Sequence, residues 1–211
     1  MPTSHRDPLQ LGVLVSGGGT TLENLIVRIR AGRLQGVALR LVISSRSDVR
    51  GADLARAAGL PLEVIRQKDW PNNEAFSTAI TAALDRAAVD LVVLAGFLCF
   101  WRVPPHYADR ALNIHPALLP RYGGRGFYGA RVHAAVLAAH EPESGCTVHL
   151  VDNEYDHGPI VAQARVPVLS SDTPATLSER VGQAERELYP QVIQRIADEG
   201  FSWLSRLQAA R

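Results

Sequence analysis

Apolar positions in the first half of the chain fall into two kinds of run. Short, continuous apolar runs predict buried strands over residues 11–15, 39–43, 62–65 and 91–94. Between them, apolar residues at helical spacing predict amphipathic helices over residues 22–29, 52–58 and 76–84, the last with Asn73 as its N-cap. Strands that alternate with helices and are apolar throughout indicate a parallel sheet with helices on both faces.

The second half of the chain follows a different pattern. Residues 146–151 and 160–166 alternate apolar and polar positions, which predicts an antiparallel strand pair. A helix through residues 132–137 is predicted before this pair, directly after a glycine-rich loop. Thr173 followed by Pro174 predicts the start of a C-terminal helix, because threonine caps a helix and proline suits its first turn.

Length and composition agree with one folded domain. The 211 residues are enough to bury a core without disulfides or metals. A content of 46% hydrophobic and 20% charged residues is ordinary for a globular protein. Because no repeat or linker interrupts the pattern, we expect a single α/β domain over residues 1–211. Its fold should be Rossmann-like and doubly wound, with a mostly parallel sheet, a late antiparallel strand pair and a C-terminal helix.

Charge and cysteine usage argue against several classes of function. A net charge of +1 gives no basis for a nucleic-acid or membrane partner. Cys99 and Cys146 show neither metal-ligand spacing nor a disulfide framework, and their apolar neighbours predict buried free thiols. The polar N-terminus lacks the core of a signal peptide, and no apolar run approaches the roughly 20 residues that span a bilayer. We therefore expect a cytoplasmic protein.

A glycine-rich loop after the first strand is a candidate phosphate site. Ser16-Gly-Gly-Gly-Thr-Thr21 joins that strand to a helix, so its backbone N–H groups lie at a positive helix N-terminus. The alternative is a plain strand-to-helix turn, but three consecutive glycines are costly unless a ligand approaches the backbone. A Walker loop would need Gly-Lys-Ser/Thr, and a dinucleotide fingerprint would need a glycine at Leu22. A phosphate monoester is the favoured ligand.

Asn113-Ile114-His115 is the strongest candidate for catalysis. In an extended backbone both polar side chains point to the same face. Pro116 and Pro120 follow and prevent regular helix or central-strand pairing. An amide and an imidazole directed at one point can stabilise charge that develops on a carbonyl oxygen. The alternative is that Asn113 caps a turn and His115 packs in the core.

Two acidic residues are candidate partners of this segment. Asp156, in the polar loop of the late strand pair, is either an Asx turn or the carboxylate that orients His115. Glu185 flanks the apolar stripe of the C-terminal helix, with Tyr189 one turn later on the same face. His149 alternates with apolar residues, which favours a core or edge histidine. We expect no metal site, because no His, Asp or Glu group has ligand spacing.

These motifs together closely resemble the phosphoribosylglycinamide formyltransferases, the folate-dependent formyltransferases of purine synthesis. The matching segments occur in family order and span nearly the whole chain: residues 13–22, 90–97, 112–120, 147–152, 155–159 and 185–190. The Asn-x-His pair with a late aspartate is specific to folate-dependent formyltransferases as a group. The early glycine loop, the chain length and the terminal Glu-x-x-x-Tyr-Pro narrow the resemblance to this family.

The resemblance implies roles for individual residues. It implies catalysis by Asn113, His115 and Asp156, with Asn113 and His115 binding the formyl oxygen and Asp156 relaying protons through water. It implies that Gly19, Thr20 and Thr21 hold the substrate phosphate and that Glu185 binds the ribose hydroxyls. A pteridine pocket, formed largely by backbone groups, is implied at Leu98, Cys99, Phe100, Trp101, Val151, Asp152 and Tyr155.

The implied reaction is transfer of the formyl group of 10-formyltetrahydrofolate, as co-substrate, to the amine of glycinamide ribonucleotide. The implied domain has a phosphate-binding N-terminal half and a folate-binding, catalytic C-terminal half. Its partners would be small molecules only, with no metal, and the assembly would be a monomer or homodimer. The chain departs from the family at Gly18, Thr20 and Thr21, at Cys99 in place of a common basic residue, and along residues 123–129, where Arg125 is a candidate anion contact.

Two other functions remain open at this point. Another folate-dependent formyltransferase, or the formyltetrahydrofolate hydrolase, would keep the Asn-x-His pair and change the acceptor. A non-catalytic phosphate-binding module would keep the glycine loop but would leave Asn113, His115 and Asp156 without a role.

Overall fold

The computed structural model describes residues 7–209, and its backbone confirms the predicted alternation of strands and helices. The strands are β1 (Leu9–Val15), β2 (Val37–Ser44), β3 (Leu62–Val64), β4 (Leu91–Leu94), β5 (Ala111–His115), β6 (Glu143–Leu150) and β7 (Ile160–Pro167). The helices are α1 (Thr20–Arg30), α2 (Arg50–Ala57), α3 (Asn73–Arg86), α4 (Ala130–Ala138), α5 (Pro174–Glu199) and α6 (Ser202–Ala209). Most of the polar N-terminal stretch lies outside the described residues.

All seven strands of this region form one sheet in the order β3-β2-β1-β4-β5-β6-β7. Pairing is parallel from β3 through β5 and antiparallel for β5–β6 and β6–β7. The chain moves outward from β1 to β3 and then returns to β4 on the other side of β1. The loops that leave β1 and β4 therefore diverge, and a crevice opens at their carboxyl ends, where open α/β sheets bind ligands.

Hydrophobic clusters cover both faces of the sheet. Leu11, Val13 and Val15 of β1 pack in the cluster that contains α1, α5 and α6, whereas Leu14 packs in the cluster that contains α3. The alternation follows from the two-residue period of a strand. A strand covered on both faces must be apolar at every position, which explains the continuous run of β4.

The C-terminal helix begins as predicted, whereas the N-cap of α3 differs from the prediction. Thr173 caps α5 in a reciprocal capping box with Thr176. Asn72, not Asn73, caps α3, because its side chain accepts a hydrogen bond from the backbone N–H of Ala75. Two adjacent asparagines offer the same capping chemistry, so the sequence did not distinguish them.

The two cysteines are free thiols, but only one is in the core. Cys146 is buried on β6, and burial raises the pKa of its thiol to about 12, with a further contribution from the charge of Glu185. Cys99 is only half-buried, so the prediction that both thiols are buried is wrong for Cys99. It follows β4 at the edge of the crevice, where the chain leaves the sheet. Within residues 7–209, no helix is long and apolar enough to cross a bilayer.

Candidate active site

A cavity of about 610 Å³ opens at the carboxyl ends of β1, β4 and β5. All fourteen residues to which the family resemblance assigns a role line it, although they come from five separate segments of the chain. These residues are Gly19, Thr20, Thr21, Leu98, Cys99, Phe100, Trp101, Asn113, His115, Val151, Asp152, Tyr155, Asp156 and Glu185. The fold thus brings the glycine loop, the Asn-x-His segment and the late acidic residues into one space.

The glycine loop delivers the N-terminus of α1 to this cavity. Gly19 is the N-cap residue in a left-handed conformation (φ 69°), and no side chain caps the helix. The first-turn N–H groups are therefore available to an anion. A Cβ on Gly19 would lie 2.6 Å from the Cα of Gly51, so α2 packs directly against the loop. Only glycine satisfies both the dihedral angle and this contact.

Polar contacts hold the loop in position from two sides. The Arg50 guanidinium donates to the carbonyl of Gly18 at 2.9 Å and to the carboxylate of Glu23 at 2.7 Å. The Ser16 hydroxyl accepts hydrogen bonds from the Ser45 hydroxyl at 2.6 Å and from the backbone N–H of Leu98 at 2.9 Å. Ser16 thereby connects the loop after β1 to the segment after β4, across the point where the strand order reverses.

Asn113 and His115 occupy alternate positions of β5 and share one face, as predicted. The antiparallel register places His149 of β6 directly opposite Asn113. Asn113 Nδ2 lies 3.1 Å from His149 Nε2, and His149 Nδ1 donates to the carbonyl of Leu150 at 2.8 Å. His149 is buried, as its alternation with apolar residues predicts, but it belongs to the polar cluster. The sequence gives no local signal for this, because only the register of β5 with β6 brings the two residues together.

Asp156 joins the same cluster from the loop between β6 and β7. Its Oδ2 lies 3.3 Å from His115 Nδ1 and accepts the backbone N–H of Gly124 at 3.0 Å. Its Oδ1 accepts from Asn113 Nδ2 at 3.3 Å and lies 3.5 Å from His149 Nε2. The contact between Asp156 and His115 that the sequence could only suggest is therefore present.

The environment of Asp156 keeps its carboxylate ionised. Burial by itself would raise the pKa of Asp156. The contacts of Asp156 with His115 and His149, the charge of His115 and the Gly124 N–H outweigh burial and hold that pKa well below its usual value. An ionised carboxylate only accepts hydrogen bonds, so the Asn113 amide must turn its nitrogen toward Asp156.

Both ring nitrogens of His115 face oxygen acceptors. His115 Nε2 donates to the carbonyl of Tyr122 at 2.8 Å, while Nδ1 faces Asp156, and the side chain is almost fully buried. Only the doubly protonated ring donates to both. Tyr122 and Asp156 each adopt the left-handed region, with φ of 59° and 53°. Such conformations cost about 1–3 kcal/mol each.

The C-terminal helix α5 packs against α1 and supplies a further wall of the cavity. Glu185 and Ser178 of α5 line the cavity one and a half to two turns apart, with Val181 between them. Burial raises the pKa of Glu185 to about 7, and the charges of His115 and Arg186 oppose that rise. Tyr189 anchors this part of α5, because its hydroxyl donates to the carbonyl of Leu112 in β5 at 2.8 Å and lies 3.3 Å from the carbonyl of Leu94 at the end of β4.

The remaining wall is partly aromatic. Phe100 and Tyr155 lie with ring centroids 5.2 Å apart, and the side chains of Leu98 and Tyr155 are exposed at the mouth of the cavity. Trp101 is mainly a core residue, since it is buried and its indole N–H donates to Thr81 at 3.2 Å. A wall of this kind can accept a flat heteroaromatic ring.

Several lining residues did not stand out in the sequence. The loop of residues 123–129 contributes Phe127 and Tyr128, and α4 contributes Arg131 and His133, whereas Arg125 of the same loop, a candidate anion contact from the sequence, also lines the cavity. Exposed aromatic and basic side chains in a loop carry no spatial information in a single sequence, so only the folded chain reveals them. Within the described part of the chain, no three His, Cys, Asp or Glu side chains are placed to hold a metal ion.

Comparison with known proteins gives a consistent set of relatives. Residues 9–193 match the formyl transferase family. The phosphoribosylglycinamide formyltransferase of Escherichia coli is 35% identical over 204 residues, which is 93% of each chain. The chloroplastic phosphoribosylglycinamide formyltransferase of Arabidopsis thaliana is 39% identical over 197 residues, or 92% of this chain and 67% of that protein.

Solved structures agree with these relatives. Glycinamide ribonucleotide transformylase 1 from Symbiobacterium toebii superposes with a TM-score of 0.84 at 36% identity, over 91% of this chain and 89% of that one. Other relatives are named as trifunctional purine biosynthetic proteins, and the chain spans only 14% to 18% of their length.

Proposed function

This chain belongs to the formyl transferase family, and we propose that it transfers the formyl group of 10-formyltetrahydrofolate to the primary amine of glycinamide ribonucleotide. Relatives that match it over most of their length are named for this activity. One observation carries the proposal: the cluster of Asn113, His115 and Asp156 opens into the same cavity as the uncapped N-terminus of α1. A formyl acceptor that carries a phosphate requires both features in one site.

The ribonucleotide lies between the glycine loop and the catalytic cluster. Its phosphate takes hydrogen bonds from the backbone N–H groups at Gly19 and from the hydroxyls of Thr20 and Thr21, assisted by the dipole of α1. Glu185 accepts hydrogen bonds from the ribose hydroxyls. Binding at both ends directs the amine of the substrate toward Asn113 and His115.

The folate occupies the aromatic wall. Its pteridine ring contacts the backbone of the segment Leu98, Cys99, Phe100 and Trp101 and of the loop that carries Val151, Asp152 and Tyr155. The residues present suit this ligand, because the wall combines aromatic rings with backbone polar groups. The formyl group then extends from the folate toward the carboxyl end of β5.

The reaction begins when the amine attacks the formyl carbon and negative charge grows on the formyl oxygen. His115 stabilises this oxygen by its positive charge, since both of its N–H groups are engaged with Tyr122 and Asp156. Asn113 gives up its 3.3 Å contact with Asp156, which is longer than its contact with His149, and donates that N–H to the formyl oxygen instead. Hydrogen bonds that are long in the free enzyme commonly rearrange in this way when substrate binds.

Protons move through Asp156. Attack by the amine makes its nitrogen cationic, and a proton must leave that nitrogen and reach the departing folate nitrogen. Because its pKa lies well below the usual value, the Asp156 carboxylate does not retain a proton. It therefore orients a water molecule that relays the proton and keeps His115 in place.

A direct assay tests the proposal. Purified protein is mixed with 10-formyltetrahydrofolate and one acceptor at a time, and release of tetrahydrofolate is followed by absorbance. Rapid release with glycinamide ribonucleotide is expected, with none for other amines. Release without any amine would indicate the hydrolase, and release with another acceptor would indicate a related formyltransferase. Binding of the ribonucleotide without release would indicate a phosphate-binding module.

We infer that both substrates, the ribonucleotide and the folate, are small molecules and that no metal takes part in the reaction. The cytoplasmic location expected from the sequence stays a prediction, because relatives with this activity in their names include a chloroplastic protein.

A further inference from the structure

His133 is a buried histidine that the mechanism above does not use. It lies on α4, is 2% exposed, and lines the central cavity. Its Nδ1 has no hydrogen-bond partner within residues 7–209. The other two buried histidines near the cavity, His115 and His149, have partners on both ring nitrogens. His133 therefore differs from its neighbours in a way that needs an explanation.

A buried nitrogen without a partner destabilises the free protein. Folding removes water from the nitrogen and supplies no replacement hydrogen bond, which costs on the order of a tenfold to hundredfold change in the folding equilibrium. An apolar side chain would fill this position on α4 at no such cost, since its buried neighbours Val132 and Val136 are apolar. Unpartnered buried polar groups of this kind commonly have a role in function.

His133 is held in the neutral state. Burial lowers its pKa, and the charge of His115 lowers it further. A neutral imidazole offers one N–H donor and one lone-pair acceptor. These complement a hydroxyl or an amide group, whereas a phosphate would call for a cation or several donors.

The position of α4 indicates which ligand His133 meets. Helix α4 packs against α5, and α5 carries Ser178 and Glu185 on the wall that faces the ribonucleotide. His133 thus lies on the ribonucleotide side and within electrostatic range of His115.

We propose that His133 hydrogen-bonds to the uncharged middle part of the ribonucleotide substrate, at a ribose hydroxyl or at the amide, and so positions the amine for attack. The inference rests on the proposed function. Because Nδ1 has essentially no accessible surface, the substrate contacts the other ring nitrogen, Nε2, and the burial cost of Nδ1 is present in the free and the bound enzyme alike.

The test compares stability with binding in one set of variants. His133→Leu removes the hydrogen-bonding groups and keeps the site buried. We expect the melting temperature of the free protein to rise by about 2–4 °C. The Kd for glycinamide ribonucleotide, measured by calorimetry, should increase about tenfold, as for loss of one hydrogen bond. The Kd for the folate should not change.

Two further variants identify the hydrogen bond. His133→Asn and His133→Gln carry an amide near the positions of Nδ1 and Nε2, and one of them should restore ribonucleotide affinity to within about threefold of the wild type. Val136→Ala, one turn further along α4 and outside the cavity, is the control for packing. It should lower the melting temperature and leave the Kd unchanged.

Three results would overturn the inference. In the first, His133→Leu is more stable but binds the ribonucleotide with the wild-type Kd, which would make His133 structural. In the second, affinity falls in His133→Leu and neither amide restores it. In the third, the folate Kd changes instead. Failure of the proposed function would look different, because the wild-type protein itself would then show no ribonucleotide binding.

Discussion

The two halves of the site achieve their chemistry by opposite means. We propose that the glycine loop binds phosphate through backbone groups of a few consecutive residues, at a helix end that no side chain caps. The cluster of Asn113, His115, His149 and Asp156 uses side chains from three segments, and each member contacts at least one other. Gly18 and Thr20 of the loop are exposed at the crevice, whereas the two histidines of the cluster are almost completely buried.

This contrast determines how each half should respond to mutation. Backbone N–H groups remain when a side chain changes, so the loop tolerates new side chains wherever the dihedral angles and the space allow them. In the cluster, removal of one member leaves buried partners without hydrogen bonds, and the loss spreads to its neighbours. We therefore expect mutations in the loop to weaken substrate binding and mutations in the cluster to lower turnover.

The largest effect is expected when the cluster is broken at its centre. His115→Ala and Asp156→Asn should each lower kcat by at least about 10²–10³-fold, because stabilisation of the oxyanion is lost. The Kd for the ribonucleotide, measured by calorimetry, should change little, since the glycine loop is untouched. Near-normal turnover in either variant would contradict the assignment of these residues.

A backbone change in the loop should produce the opposite result. Gly19→Ala combines a φ of 69° with a Cβ 2.6 Å from the Cα of Gly51, so the loop must shift. We expect KM for the ribonucleotide to rise about tenfold or more and kcat at saturation to fall much less. Gly17→Ala is the matched control, because nothing lies within 4 Å of its Cβ and its φ is not positive. Equal KM values for the two variants would show that the loop does not bind the phosphate.

A smaller effect is expected at the residue that supports Asn113. His149→Leu removes the 3.1 Å contact with Asn113 and the 3.5 Å contact with Asp156. Loss of this support should lower kcat about tenfold, as for one buried hydrogen bond, with KM values near those of the wild type. His106→Leu serves as a control, because His106 is exposed and pairs with Asp85 away from the cavity. Full activity in His149→Leu would show that His149 does not support catalysis by Asn113, His115 and Asp156.

The smallest effect on turnover is expected for Glu185→Gln. Its clearest effect should be on the pH dependence of stability. The pKa of Glu185 is raised from 4.5 to about 7 in the folded chain. Stability from the protonated form is therefore fully present below pH 4.5 and is lost as the pH rises toward 7. Glu185→Gln cannot ionise, so its melting temperature relative to the wild type should increase across this window. A constant difference between pH 4.5 and 7 would show that Glu185 does not titrate there.

Much of the fold could be predicted because its signals are local. The period of apolar positions predicts the strands β1 to β4 and the helices between them, and the threonine before Pro174 marks the start of α5. The exceptions are positions where neighbours offer equal chemistry, as with Asn72 and Asn73. Cys99 was misplaced for another reason: its apolar sequence neighbours belong to a segment that leaves the sheet at the crevice.

The site could be predicted only where its geometry is local or where a family resemblance supplied it. Asn113 and His115 share a face because they are two residues apart on a strand. No comparable rule connects either of them to His149, which is 36 residues from Asn113, or to Asp156, which is 43 residues away. The register of β5 with β6 and the path of the loop between β6 and β7 decide those contacts. Both depend on the packing of the whole sheet.

The sequence by itself determined the alternation of β1 to β4 with helices, the late strand pair, the start of α5 and the face shared by Asn113 and His115. These follow from dihedral preferences and from helical or strand periodicity, which act over a few residues. Only the tertiary structure decided that His149 opposes Asn113, that Asp156 reaches His115 and that His133 is buried beside them. These contacts depend on distances between remote segments, which are fixed when burial of both faces of the sheet selects one register.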